Sequence, residues 1–186
     1  KEVMLDVMKN YNTKVIAHNM HHEETGEDLF PPYWIKEIEG VRIGFVGLND
    51  PDVPVRQNPI FSQGIEFSGM DEEFTNTLEK LKKEKEVDVL FLITHIGIFK
   101  QVELANNPLA EPVDYILGND THERVQELIQ GKYAKVTEPG AFGSFVGKLQ
   151  LNFVDNKLVS DSYELIEVDP EKFPADERIQ SLVDQA

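Results

Sequence analysis

The sequence contains no cysteine, and this absence excludes disulfide bonds, thiolate metal sites and a cysteine nucleophile. The side chains left to bind a metal are therefore His, Asp, Glu and Asn. Basic residues are scarce as well, since 18 Lys and Arg stand against 34 Asp and Glu and the net charge is −16. A surface this acidic repels nucleic acid polymers and anionic membranes. A small phosphorylated substrate is still compatible with this charge, because a bound metal can reverse the local field.

Long apolar runs are also missing, so neither a signal peptide nor a membrane span is predicted. No serine nucleophile elbow is present. The chain begins at Lys1 without a methionine and enters a helical pattern directly, so we interpret it as a piece of a longer polypeptide. Its 186 residues, 40% of them hydrophobic, are enough for one globular domain with a core.

The segment 87–94 is the most informative stretch, because seven of its eight residues carry no ionisable side chain. Such a run, rich in branched and aromatic residues, is typical of a strand buried on both faces of a parallel sheet. It ends at His95, and a second short apolar strand at 113–118 precedes the polar segment 119–123. Because open α/β sheets place their chemistry at the carboxyl ends of strands, we predict an α/β fold with both polar groups at one edge.

The remaining elements are predicted from helical spacing, alternation and turn residues. Helices are predicted at residues 3–12, 71–86, 99–107 and 176–183, and a short helix or turn at 124–129. Further strands are predicted at 14–17, 33–38, 41–48, 133–137, 147–154 and 158–168. Segment 49–70 is predicted to be an irregular loop, and a loop of that length is usually functional or poorly ordered.

Three side chains are candidate metal ligands: His95, Asp120 and His122. A neutral imidazole at a strand end suits zinc, manganese or iron, and alternate residues of a tight turn can converge on one or two ions. Each has a structural alternative, because His95 can serve packing alone and Asn119 with Asp120 can form an Asx turn that leaves His122 in solvent. Considered together, the three residues favour metal binding.

Two other polar segments have open interpretations. Residues 21–24, with two histidines and two glutamates, are predicted to be a solvated loop. Residues 137–144 form a glycine-spaced turn, in which backbone amides can approach a substrate or small residues can serve a crossing between strands. This turn fits neither a Walker loop nor a dinucleotide fingerprint.

In series, the segments 15–50, 87–97, 113–123 and 134–153 resemble the metal-dependent 5′-nucleotidase family of calcineurin-like metallophosphoesterases. The resemblance implies a four-layer αββα sandwich with mixed sheets. It also implies a hydrolase that acts on phosphate esters such as nucleoside monophosphates, with two divalent metal ions (Mn, Zn, Fe or Mg). An extracellular or cell-surface location is a further implication.

Carried over to this chain, the resemblance makes His95 the histidine of a strand-ending Thr-His motif and a ligand to one metal. His122 keeps the ligand type of a Gly-His-x-His or Gly-His-x-Gln pattern. Asp120 stands where that pattern has a histidine, and this departure leaves the metal preference open. Asn19 matches an Ala-Asn strand end with a scaffold role.

The motifs that supply the bridging ligand and the acid for the leaving group in the family lie before the point that matches Lys1. We therefore predict that residues 1–168 are the C-terminal half of the catalytic domain, and residues 169–186 a tail helix toward an absent C-terminal nucleotidase domain. No catalytic or substrate-binding residue is assigned. The isolated chain is expected to hold at most one metal ion weakly and to need the missing N-terminal half of its own domain.

Two other functions are compatible with the same residues. One is a degenerate, non-enzymatic binding module on this fold, because Asp120 departs from the family pattern. The other is a phosphodiesterase for cyclic nucleotides or nucleotide sugars that uses the same metals.

Overall fold

The computed structural model describes residues 1–84 and 86–185, so residue 85 of the predicted helix 71–86 and the last residue of the predicted tail lie outside the described residues. The helices are α1 Glu2–Met8, α2 Val53–Arg56, α3 Glu72–Lys83, α4 Ile98–Ala105 and α5 Glu177–Val183, with 3-10 turns at Pro59–Phe61 and Pro108–Ala110. The strands are β1 Met20–His22, β2 Tyr33–Ile38, β3 Val41–Leu48, β4 Ile65–Phe67, β5 Val89–Thr94, β6 Tyr115–Leu117, β7 Ile129–Gln130, β8 Lys135–Thr137, β9 Phe145–Val154 and β10 Lys157–Glu167.

A mixed sheet with the strand order β2-β3-β5-β6-β8-β7 forms the centre of the structure. Strands β3, β5, β6 and β8 are parallel neighbours, and the two outer strands run antiparallel to them. The predicted α/β class with a mixed sheet is therefore confirmed. Because parallel strands end on the same side, the residues that follow these four strands share one edge.

Helix α3 covers one face of this sheet. Its buried residues Phe74, Leu78 and Leu81 follow the spacing of one helical face and belong to the same core as Leu90 and Leu92 of β5. The helix begins at Asp71, whose side chain accepts a hydrogen bond from the Phe74 amide at 3.0 Å. Acidic residues lie in its first turn and lysines in its last, which suits the helix dipole.

The hairpin of β9 and β10 packs on the opposite face of the sheet. Here the stacked rings of Trp34, Phe45, Phe91 and Tyr115 cross four neighbouring strands. The Tyr115 hydroxyl donates to Asp161 of β10 at 2.5 Å, and burial raises the pKa of Tyr115. Hydrogen bonds from a neighbouring lysine and from this tyrosine lower the pKa of Asp161. The hairpin is thus held to the sheet by a polar contact beside apolar packing.

Segments 14–17 and 124–129 differ from their predictions. The first is not a strand: its Ala17 amide donates to the Pro31 carbonyl, and regular strand pairing begins only at β1, which pairs with β4. The second contains no helix. Its Val125 amide donates to the Glu138 carbonyl at 3.0 Å, so this stretch lies extended along the turn that follows β8. In both cases a partner distant in the chain takes the backbone hydrogen bond.

Two polar segments are more ordered than predicted. Residues 21 and 22 lie in β1, and the His21 ring pairs with Asp28 at 3.0 Å instead of lying in a solvated loop. The segment 49–70 contains α2, a 3-10 turn and β4. In the described part of the chain, no helix is both long and apolar enough to cross a membrane.

Candidate functional site

The loops that follow the four parallel strands are joined to one another by backbone hydrogen bonds. The His95 amide donates to the Leu48 carbonyl at 3.2 Å, and the Gly118 amide donates to the Thr137 carbonyl at 2.8 Å. The Gly97 amide donates to the Asn119 carbonyl at 3.1 Å. These contacts place the ends of β3, β5, β6 and β8 side by side, at what we call the site edge.

His95 and Asp120 meet at the site edge, as their positions after neighbouring strands predict. The His95 Nδ1 atom lies 3.8 Å from Asp120 Oδ1, and the two side chains are 56% and 19% exposed. An imidazole and a carboxylate at this distance can contribute to one cation. Their role as metal ligands stays a prediction.

His122 lies apart from this pair. Its ring stands edge-on to the Phe142 ring with 5.2 Å between centroids, and both residues line a small separate cavity. The backbone of the loop is unusual, since Asp120 has a φ of 106° and His122 a φ of 62°. The structure therefore brings two of the three predicted ligands together and does not bring the third to them.

Two cations at the site edge were not singled out by the sequence. The Arg56 guanidinium pairs with the Asp50 carboxylate and reaches Asp120 Oδ2 at 3.2 Å. Lys100 donates to Asp52 at 2.6 Å. The hydrogen bonds that Arg56 donates to Asp50 and Asp120 raise the pKa of Arg56, and the hydrogen bond from Lys100 lowers the pKa of Asp52. The only signal for this cluster in the sequence is that a basic residue, Arg56, comes shortly after the acidic residues that follow β3.

The start of the segment that carries Arg56 is held by Asn19. This residue is fully buried, and its side chain donates to the carbonyls of Asn49 and Ser68 at 2.8 and 3.1 Å. Its oxygen accepts from the Asn49 amide at 2.8 Å. The predicted scaffold role of Asn19, which holds a loop through its backbone groups, is confirmed.

Glu138 holds the loop that carries Asp120 and His122 through hydrogen bonds. This carboxylate is fully buried, and it accepts hydrogen bonds from the Glu123 amide at 3.0 Å and the Thr121 hydroxyl at 3.2 Å. The buried Gln101 side chain donates to Glu138 at 3.4 Å and to the Asn119 carbonyl at 3.0 Å. This carboxylate and amide therefore set the position of the loop.

Gly118 is required beside this pair. A Cβ atom at Gly118 would lie 1.8 Å from the Gln101 Oε1 atom, and such an overlap forces the amide side chain to move. The small residue thus allows β6 to end directly against Gln101, and Gln101 to reach the loop.

We expect Glu138→Ala to lower the free energy of unfolding by about 1–3 kcal/mol, because it removes a fully buried acceptor of hydrogen bonds. The donors affected are the Gln101 side-chain amide, the Glu123 amide and the Thr121 hydroxyl. Urea denaturation measures the loss, and amide hydrogen exchange at Glu123 should become faster. The exposed Glu127→Ala is the matched control and should change neither quantity. Unchanged exchange at Glu123 in Glu138→Ala would contradict the holding role.

The two divalent metals implied by the family resemblance are not accommodated by the described residues alone. No group of three or more His, Asp or Glu side chains that could hold a metal occurs within residues 1–84 and 86–185. His95 and Asp120 provide two ligands, and the second already binds the Arg56 guanidinium. Any metal at this edge would need ligands from other polypeptide and the departure of Arg56 from Asp120.

Comparison with known proteins finds sequence similarity to a 5′-nucleotidase. No family model matches the chain. A 5′-nucleotidase of Vibrio cholerae is 26% identical over 92% of this chain, and the match covers 36% of that relative. The chain thus spans about a third of the length of this curated relative.

Solved structures share the fold of the chain. The SoxB sulfate thiohydrolase of Thermus thermophilus matches all of the chain and 34% of its own length, with a TM-score of 0.90 and 19% identity. The calcineurin-like phosphoesterase YfkN of Bacillus subtilis matches 96% of the chain and 63% of its own length, with a TM-score of 0.73 and 18% identity. At these identities the two structures establish the fold alone. The chain is thus similar in sequence to a 5′-nucleotidase and shares its fold with a calcineurin-like phosphoesterase, in agreement with the motifs in series.

Proposed function

We propose that this chain is part of a metal-dependent phosphoester hydrolase of the 5′-nucleotidase type, with nucleoside monophosphates or related phosphoesters as substrates. The observation that carries the proposal is the meeting of His95 and Asp120, 3.8 Å apart, at the carboxyl edge of the parallel strands. This is where a sheet of this class places its chemistry. The relation to a 5′-nucleotidase supports the choice of substrate class.

The proposed ligands from this chain are His95, Asp120 and His122, of which His122 would have to turn away from Phe142 to reach the other two. Further ligands come from polypeptide beyond this chain. Residues 1–168 would form the C-terminal half of the catalytic domain, and residues 169–186 would lead toward a nucleotidase domain. An extracellular or cell-surface location accompanies this proposal. Two metal ions belong to the complete domain, and the chain alone is expected to hold at most one of them weakly.

An apolar cleft beside the site edge supports the need for further polypeptide. The cleft has a volume of about 1520 Å³, and it is lined by His95 and Asn119 at one end and by apolar residues of the sheet and hairpin, among them Phe45, Phe91 and Leu151. Burial of apolar surface is the main favourable term in folding, so a covered cleft is more stable than an open one. We infer that the other half of the domain covers this cleft.

The test is phosphate release by the complete protein from adenosine monophosphate, with Mn²⁺ added or with chelator. Hydrolysis that needs Mn²⁺ is the expected result, and the isolated 186-residue chain should show little of it. Parallel assays with a cyclic nucleotide and a nucleotide sugar separate a nucleotidase from a phosphodiesterase. A complete protein that hydrolyses none of these with any of Mn, Zn, Fe or Mg would refute the proposal.

A non-enzymatic binding module is the second candidate, and the Arg56 contact favours it. A carboxylate that binds a guanidinium is not free for a metal, and two ligands alone hold an ion weakly. Elemental analysis of the complete protein distinguishes the two functions. Stoichiometric Mn, Zn or Fe supports the hydrolase, and its absence supports the binding module.

A further inference from the structure

Arg56 occupies the place between two carboxylates at the site edge. Its guanidinium contacts the Asp50 side chain, which is 2% exposed, and both of its terminal nitrogens lie 3.2 Å from Asp120 Oδ2. A guanidinium presents its N–H donors as a planar fork, and this geometry suits two carboxylates at once. The place that a bridging cation would take is therefore filled by a side chain of the same protein.

The contact also gives a physical reason for the acid at position 120. The family pattern has a histidine there, and a neutral imidazole offers a single acceptor nitrogen. A carboxylate offers two oxygens and a negative charge: Asp120 Oδ2 accepts from both terminal nitrogens of Arg56 at 3.2 Å, and Oδ1 lies 3.5 Å from Nη2. The departure from the family pattern and the presence of Arg56 thus fit one another.

We propose that the Arg56 guanidinium is a resident cation that takes the place of a divalent metal at Asp120, so that this carboxylate does not fit a metal while Arg56 binds it. Two cations within a few ångströms repel each other strongly at a partly buried site, so they cannot share the Asp120 carboxylate. Asp50 has a second cation beside it, because Lys100 Nζ lies 3.7 Å from its carboxylate. The proposal rests on the proposed metal site and does not depend on hydrolysis.

The experiment measures Mn²⁺ binding to the complete protein by titration calorimetry and by electron paramagnetic resonance. Arg56→Gln removes the charge and the fork, and we expect the dissociation constant for Mn²⁺ to fall by about tenfold or more. Arg56→Lys keeps the charge without the fork, and its affinity should lie between those of the other two proteins. Circular dichroism checks that each variant is folded.

Two further variants locate the effect. Adding Asp120→Asn to Arg56→Gln should remove the gain in affinity, because the freed carboxylate is its source. Lys83→Gln makes the same change of net charge on the exposed face of α3, where Lys83 pairs with Glu79, and should leave Mn²⁺ affinity unchanged within about twofold.

The proposal is overturned if Arg56→Gln and the unchanged complete protein bind Mn²⁺ equally, or if neither takes up Mn²⁺. A gain of the same size in Lys83→Gln would also overturn it, since net charge alone would then explain the result. Failure of the proposed hydrolase appears in a different measurement, namely the absence of phosphate release by the complete protein. The two outcomes are therefore distinguishable.

Discussion

Replacing His95 by alanine in the complete protein is expected to lower kcat/KM for nucleoside monophosphate hydrolysis by about 100-fold or more. The imidazole lies at the end of β5, 3.8 Å from the Asp120 carboxylate, and is the proposed metal ligand with the clearest position. A catalytic metal contributes several kcal/mol to the transition state, and each 1.36 kcal/mol is a factor of ten in rate. Steady-state phosphate release measures the change, and elemental analysis should show that metal content falls with it.

His22→Ala is the matched control for this change. His22 lies in β1 and its side chain is half-buried, so the substitution removes the same ring away from the site edge. Hydrolysis by His22→Ala should stay within about twofold of the unchanged protein, as expected for a substitution that touches no site group. A His95→Ala protein that keeps its full rate and metal content would remove His95 from the proposed ligands.

Phe74→Ala is expected to lower the free energy of unfolding by about 3–5 kcal/mol. The ring is fully buried between α3 and the sheet, and its edge meets the His18 ring with 5.2 Å between centroids. Removing it leaves a cavity that a packed core closes only in part. Since a domain of this kind is stable by about 5–15 kcal/mol, the variant should lose a large share of its stability. Urea denaturation followed by circular dichroism measures the loss.

The exposed Phe99→Ala provides the comparison for this core substitution. The Phe99 side chain in α4 is 80% exposed, so its removal should change stability by no more than about 0.5 kcal/mol. Equal losses in the two variants would contradict the central place of Phe74 in the core.

Local pattern predicted much of the fold. The apolar run at 87–94 became β5, and the spacing of Phe74, Leu78 and Leu81 became the buried face of α3. The turn at Asp155 and Asn156 has positive φ at both residues, as its hairpin sequence indicates. Each of these features depends on residues close in the chain, and their periodicity or turn chemistry can be identified without a partner.

The predictions for 14–17 and 124–129 differ from the structure because they rested on short patterns with weak periodicity. Short apolar runs are ambiguous between helix, strand and extended loop, and the available hydrogen-bond partners decide among them. For Val125 that partner is the carbonyl of Glu138, the residue directly after β8. The partner became known only once the sheet order was known.

By itself the sequence determined the α/β class and the meeting of His95 with Asp120 at one edge, since strand polarity alone sends the ends of parallel strands to the same side. The tertiary structure decided that Arg56 binds Asp120 across 64 positions of the chain and that His122 turns to Phe142. These contacts depend on where loops lie in space and on the backbone angles they adopt. Neither contact follows from a local periodicity. For this reason only the folded chain shows that Arg56 lies at the site edge.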